Sequence, residues 1–446
     1  MLDKLWMINT AVNHFVWGPF MLVLLLGIGL WLTVRTGFLP LRKCGLIFSK
    51  TLGSLFHKQD RSKGITPFQA VSTALAGTLG VGSVVGVATA ITTGGPGAVF
   101  WMWISALFGM MIKYGEVILS VHFRNREKDG TYIGGPMTTL ENGCHMKFLG
   151  VLFALLCIFA SFGIGNAAPS NTIAVTFHSY FGVSPMICGI GAAVLVGIVI
   201  IGKAGRIMRV NEIFVPVLSI LYIGASLYLI AARLEFIGPA FQMIIKDAFT
   251  LPSAVGGTSG YMISKAMHYG ISRGVFSNEA GMGSAPIAHA SVANVNAVEQ
   301  GFWGIFEVFF DTIVICTISA MVIMTSPYFG SMLDGVQMTV MCFVDGFGHW
   351  GGVLFAFAIA SFALSSILGW YYYAVQCIRY LFTSPFMLLI YKILFLAVII
   401  IGACAHLDLV WEVADTLNGL MSLPNLLSLI LLYRIILRYT DDYLRK

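Results

Sequence analysis

Eleven stretches of this chain are apolar over about 20 residues, the length a helix needs to cross the hydrocarbon of a bilayer. They run roughly over 16–35, 67–92, 97–123, 148–178, 184–202, 210–232, 260–292, 300–325, 351–382, 385–405 and 416–438, and are numbered here as spans 1 to 11. In lipid each backbone N–H and C=O must be satisfied without water, so such stretches fold as helices. The expected fold class is an all-α polytopic membrane protein with 11 transmembrane helices. Composition agrees: 58% of the 446 residues are hydrophobic and 10% are charged, against about 25% charged in soluble domains. Spans 4, 7 and 9 are long enough to be tilted or kinked. The N-terminus has no basic n-region, since Asp3 and Lys4 cancel, so the first run is expected to be a retained span rather than a leader.

The net charge of +6 sits in loops, where it sets orientation and gives no reason to expect nucleic acid. Arg35, Arg42, Lys43, Lys50, Lys58, Arg61 and Lys63 follow span 1. Arg124, Arg126, Lys128 and Lys147 follow span 3. Lys203, Arg206 and Arg209 follow span 5, Arg379 follows span 9, and Arg434, Arg438, Arg445 and Lys446 end the chain. Only Lys4, Arg233 and Lys246 fall in loops of the other side. The positive-inside rule then predicts a bacterial inner-membrane protein with its N-terminus outside and its C-terminus in the cytoplasm.

Two of the spans carry nearly the same glycine-rich stretch. Span 2 has Gly80-Val81-Gly82-Ser83 and span 7 has Gly281-Met282-Gly283-Ser284. Each is followed by an aromatic pair, Phe100-Trp101 and Phe302-Trp303, at nearly equal distance. The two copies start five spans apart, and an odd offset inverts the second copy. The pattern predicts a five-plus-five inverted repeat with one extra N-terminal helix. Its parts are 1–66 (first span and basic loop), 67–238 (first repeat) and 239–446 (second repeat). Paired breaks in corresponding spans are a transporter's binding-site signature.

A glycine every two or three residues lets span 2 unwind. The N–H groups opening its second half suit a carboxylate, and the carbonyls closing its first half suit a small cation. Thr78 and Ser83 add hydroxyls beside the break. Close helix packing is the competing use of such glycines. Span 7 carries Arg273, Asn278 and Glu279 at membrane depth, where charges are costly and face the bundle interior. Glu279 either pairs with Arg273 or shapes the cavity or gate. Lys113 and Glu116 on span 3 are spaced to pair with each other. Glu307 and Asp311 on span 8 are like charges one turn apart, and at least one needs a basic or polar partner. Ser361, Ser365 and Ser366 on span 9 either bond their own i−4 carbonyls or face span 2 as a cation site. Hydroxyl and carbonyl oxygens without a carboxylate suit Na⁺ rather than a divalent metal. The loop at 326–350 reads as a lid, and 238–250 as a short surface helix.

Other classes find no support. The glycine runs lack the Gly-Lys-Ser/Thr ending of a nucleotide loop. There is no HExxH and no cluster of His with carboxylates at one depth, so the chain reads as no enzyme. The eight cysteines (44, 144, 157, 188, 316, 342, 377 and 404) are scattered, with no metal or disulfide spacing. No cofactor is expected.

The residues also resemble the alanine or glycine:cation symporter family over nearly the whole chain. The resemblance rests on Gly94-Gly95-Pro96-Gly97-Ala98-Val99-Phe100-Trp101-Met102-Trp103, on Gly134-Gly135-Pro136-Met137, and above all on the run from Ser272 through Asn278, Glu279 and Gly281 to Ala290. It implies a leucine-transporter-type fold and alternating-access, Na⁺-coupled uptake of a small neutral amino acid such as alanine or glycine. H⁺ coupling, exchange, or a non-transporting sensor on the same fold are the alternatives. By that resemblance Thr78, Gly80, Val81 and Gly82 line the first break, and Phe276, Ser277, Ala280 and Gly281 the second. Trp370 walls the substrate pocket. Ala76 and Leu79 carbonyls with Ser365 and Ser366 hold Na⁺, with Ser83 at a second cation site. Three positions depart from the family pattern: Ser83 stands where Asn is usual, Tyr371-Tyr372-Tyr373-Ala374-Val375 replaces Ser-Tyr-Tyr-Gly-Glu, and Pro169 stands near an expected Gln.

Overall fold

The computed structural model describes residues 2–56, 64–202, 204–249, 258–331, 333, 335–405 and 408–445. Of the loop cations, Lys58, Arg61, Lys63, Lys203 and Lys446 lie outside these residues, as do residue 250 of the surface segment and residues 332 and 334 of the expected lid. Among the described residues eight helices are long and apolar enough to cross a membrane: Asn9–Arg35, Gly97–His122, Lys147–Phe181, Gly205–Ala231, Ala297–Met324, His349–Leu381, Pro385–Cys404 and Glu412–Leu444. Pro67–Thr78 and Gly82–Gly94, bent by 51° to one another, make a ninth if taken as one broken span. Pro185–Ile200 is apolar but 16 residues long. Thr258–Asn278 carries Lys265, His268 and Arg273 and lies in span 7.

Local chemistry sets the ends of these helices. Thr66 and Gln69 form a reciprocal capping box at the start of span 2, with Pro67 in the first turn. Asn296 caps the helix of span 8 and Ser384 that of span 10. Span 4 stays helical but widens into a π-turn over Gly163–Ala167. Pro169, which has no N–H to give, sits just beyond it. Span 8 widens likewise over Phe309–Cys316.

Three elements refine the sequence reading. A helix over Leu2–Val16 precedes span 1, separated from it by Gly18 and by Pro19 at the next helix's first position. It is fastened to the last span: Thr10 donates to Glu412 (2.5 Å), Asn13 to Thr416 (3.0 Å) and Trp17 to the Asp415 carbonyl (2.9 Å). The surface helix is present as Ile237–Phe249, burying Ala240, Ile244 and Ala248. Its Asp247 accepts from the Gly97 N–H at 2.7 Å and so anchors the start of span 3. The segment read as a lid contains a helix, Gly335–Phe347, whose Met338, Cys342 and Phe343 are buried.

Two apolar clusters fill the interior. One joins Leu25, Met111, Phe153, Phe302, Trp370 and Phe395; the other joins Val87, Met102, Tyr222, Trp303, Met321 and Phe362.

Candidate functional site

The first break opens where the helix Pro67–Thr78 ends. Leu79 is extended, Gly80 adopts φ +140°, and a π-turn over Val81–Val85 leads into Gly86–Gly94. That φ is the reason for glycine at position 80. The chain resumes helical bonding with Val84 N–H to the Gly80 carbonyl at 3.1 Å. The N–H groups of the turn before it therefore have no acceptor in their own helix.

The second break lies opposite. Thr258–Asn278 ends at Glu279, a non-glycine residue held at φ +53° and so in a sparsely populated backbone region. Gly281 and Gly283 follow at φ +91° and +79° before the short helix Ala285–Ala290. Ser277 meets the first break directly. A Cβ on Gly82 would sit 3.1 Å from Ser277 Cα and 3.6 Å from Phe276. A side chain at position 82 would have to push the two broken segments apart by a few tenths of an ångström. Ala280 and Gly281 face elsewhere: Ala280 lies against Gly109, and Gly281 against Leu25 and Leu426. Of the residues expected to line the second break, Phe276 and Ser277 meet Gly82 of the first.

Where the breaks meet, the structure places a carboxylate. Asp311 lies in the π-turn of span 8 and is fully buried. Its side-chain partners among the described residues are hydroxyls. Ser83 bonds one oxygen; Ser277 (2.7 Å) and Thr312 (2.9 Å) bond the other. Ser277 and Ser83 are 3.1 Å apart, and Ser83 also reaches the Thr78 carbonyl at 3.2 Å. Asn278 donates to Thr312 and caps the Ala280 N–H. Hard oxygens from spans 2, 7 and 8 thus converge around one negative charge. An isolated buried carboxylate costs several kcal/mol, which a bound cation or a proton offsets.

Span 9 runs along the first half of span 2. Ser366 donates to the Gly77 carbonyl at 3.3 Å, whereas Ser365 bonds its own Ser361 carbonyl at 3.0 Å. A Cβ on Gly369 would lie 3.1 Å from the Thr73 carbonyl, and one on Gly80 3.3 Å from Phe362. The carbonyl that Ser366 reaches, Gly77, lies between the expected Ala76 and Leu79, one residue from Ala76. The Thr78 hydroxyl bonds back to Ala74 and Leu75.

The buried charges pair differently from their spacing. Glu279 takes Ser284 and the Trp370 indole (3.1 Å) rather than Arg273. Arg273 lies 5.6 Å from the Phe276 ring centroid and lines a cavity of about 330 Å³ with His14, Trp17 and Asp415. Lys113 turns from Glu116 to Glu307 (3.3 Å) and to the Glu279 carbonyl (3.1 Å). Glu116 takes Asn425 (2.5 Å), which also holds the Gly281 carbonyl at 2.8 Å. His289 supplies a second partner for Glu307 at 3.1 Å. Contacts across the bundle thus win over neighbours on one helix. They hold the carbonyls that the second break leaves without helical donors.

The sequence matches the sodium:alanine symporter family over residues 3–446. The chain belongs to this family. It is 42% identical to the sodium/alanine symporter AgcS of Methanococcus maripaludis, covering 99% of this chain and 98% of that one. It is 36% identical to a protein of Bacillus subtilis described as a probable sodium/glutamine symporter, GlnT, over 97% and 90% of the two chains. Among solved structures, MhsT in complex with L-phenylalanine superposes with a TM-score of 0.56 at 15% identity, covering 84% of this chain and 97% of that one. The family member described here is therefore a leucine-transporter-type membrane transporter and not an enzyme. The family establishes cation-coupled amino acid symport as its class of activity.

Asp311 is the residue that sequence reasoning left unassigned. Its demand for a polar partner was legible from Glu307 one turn away. That the partners would be Ser83 and Ser277, one from each break, depends on how span 8 packs beneath both.

Proposed function

We propose that this transporter carries a small neutral amino acid such as alanine or glycine into the cell together with Na⁺, by alternating access. The observation that carries the reading is the meeting of both breaks at Asp311. The carboxylate, the Ser83, Ser277 and Thr312 hydroxyls and the Thr78 carbonyl are hard ligands with a single charge, suited to a monovalent cation. The N–H groups of Gly80, Val81 and Gly82 receive the substrate carboxylate beside it. Asp311 supplies a carboxylate at the second cation site, where Ser83 is a shorter ligand than the family's usual Asn. A further Na⁺ lies between Ala76, Leu79, Ser365 and Ser366, where span 9 already reaches the Gly77 carbonyl. Phe276 and Trp370 wall the pocket, while Ala280 and Gly281 shape the second break from behind. Glu279 and Arg273 act in gating from separate positions.

The same reading takes eleven spans, with 67–238 and 239–446 as inverted repeats and 1–66 as the extra N-terminal part. The bent span 2, the interrupted span 7 and the loop charges support this, with the N-terminus outside. GlnT in the same family leaves the side-chain preference as part of the proposal. Uptake of radiolabelled alanine into proteoliposomes, with and without an inward Na⁺ gradient, tests it. Accumulation only with the gradient is expected; gradient-independent exchange contradicts symport. A second reading, H⁺ coupling, is favoured by the same buried Asp311, which can hold a proton in place of a cation. It predicts accumulation driven by a pH gradient without Na⁺.

A further inference from the structure

We propose that the arginine cluster where span 1 meets the C-terminal helix is a binding site for the phosphate of an anionic membrane phospholipid. Arg35 is the last residue of the helix Pro19–Arg35. Beside it, the helix Asp408–Leu444 brings up Arg434 and Arg438, and Arg445 follows its last turn. Together with Tyr433 they line a cavity of about 440 Å³. Asp441 and Asp442 also face it, so cations outnumber anions. Among the described residues one ion pair forms here, Arg438–Asp442 at 3.8 Å with both side chains exposed. Arg434 donates to the Tyr433 hydroxyl at 3.4 Å. Arg35 and Arg434 lie 5.8 and 5.9 Å from the Tyr433 ring centroid. These guanidiniums are held in place by an aromatic ring and left without a carboxylate, which suits bidentate binding of a phosphate.

Position selects a lipid over a free anion. Leu30 and Val34 on the first helix and Leu427, Ile430 and Leu431 on the second are exposed apolar side chains leading up to the arginines. Trp31 packs on Tyr433 at 4.6 Å, and both are residue types enriched at the headgroup level of membranes. A phosphodiester seated among Arg35, Arg434 and Arg438 would extend its acyl chains down that apolar face. Basic pockets between helices at a membrane boundary recognise anionic headgroups in this way. The site is separate from Asp311 and does not depend on which solute is carried.

Native mass spectrometry of the purified full chain with phosphatidylglycerol or phosphatidylcholine tests the proposal. Phosphatidylglycerol is expected to bind more tightly and to be displaced by added salt. Arg35→Gln and Arg434→Gln should each weaken it about fivefold, with phosphatidylcholine binding unchanged. Both positions are surface-exposed, and the unchanged phosphatidylcholine binding reports that each variant is folded. Equal affinity for the two lipids, salt-independent binding, or full binding by the variants overturns the site. Displacement by inorganic phosphate at matched concentration makes it a free-anion site and overturns the lipid assignment.

Discussion

At the scale of single residues, the site depends on side chains that are small or oxygen-bearing where the spans cross. At Gly82 even a methyl group would crowd Ser277. Gly82→Leu is expected to abolish alanine binding by parting the breaks and covering the N–H groups, as measured by equilibrium binding to purified protein. Wild-type affinity in that variant would place the substrate carboxylate elsewhere. Ser366 bridges to span 2, whereas Ser365 bonds within its own helix. Ser366→Ala should therefore raise the Na⁺ concentration for half-maximal uptake several-fold, and by more than Ser365→Ala does. Equal Na⁺ dependence in both variants and the wild type would move the ion away from span 9. The glycine breaks, the serines and the isolated carboxylates were all legible from the sequence. The partners of Asp311, Glu279 and Lys113 were not, because each lies on a different span and spacing reports only neighbours on one helix.

At the scale of elements, the fold keeps its helices interrupted by holding the freed backbone with side chains from elsewhere. Lys113 and Asn425 hold the Glu279 and Gly281 carbonyls, and Lys113 is also paired with the fully buried Glu307. Removing one partner of a buried pair leaves an uncompensated charge. Lys113→Met should destabilise the protein by about 3–5 kcal/mol, read as a fall in the thermal unfolding midpoint in detergent. Lys113→Met combined with Glu307→Gln should recover much of that loss. A double variant as unstable as the sum of the singles would show that the pair carries no coupling. The interruption of spans 2 and 7 was readable from glycine spacing. The helix Leu2–Val16 was not, because its polar Asn9, Thr10 and Asn13 break any apolar run, and Thr10 and Asn13 are satisfied by the last span instead. The helix inside the expected lid was hidden for a similar reason: its stability comes from burying Met338, Cys342 and Phe343.

At the scale of the whole molecule, membrane passage was plain from apolar length, and the family from the long Ser272–Ala290 run. Orientation rests on loop charge. Cys44, in the basic loop after span 1, and Cys404, at the end of span 10, are both exposed. In variants retaining one of them, a membrane-impermeant maleimide should label Cys404 in intact cells and Cys44 only after permeabilisation. The reverse pattern would invert the proposed topology. The proposed coupling turns on the two breaks meeting at Asp311 to hold a cation beside the substrate. Equilibrium binding of radiolabelled alanine, titrated with Na⁺ in the wild type and in Asp311→Asn, tests it most directly. Na⁺ is expected to tighten alanine binding in the wild type by about tenfold or more and to leave binding by Asp311→Asn nearly flat. An Asp311→Asn protein whose alanine affinity responds to Na⁺ as the wild type does would contradict it.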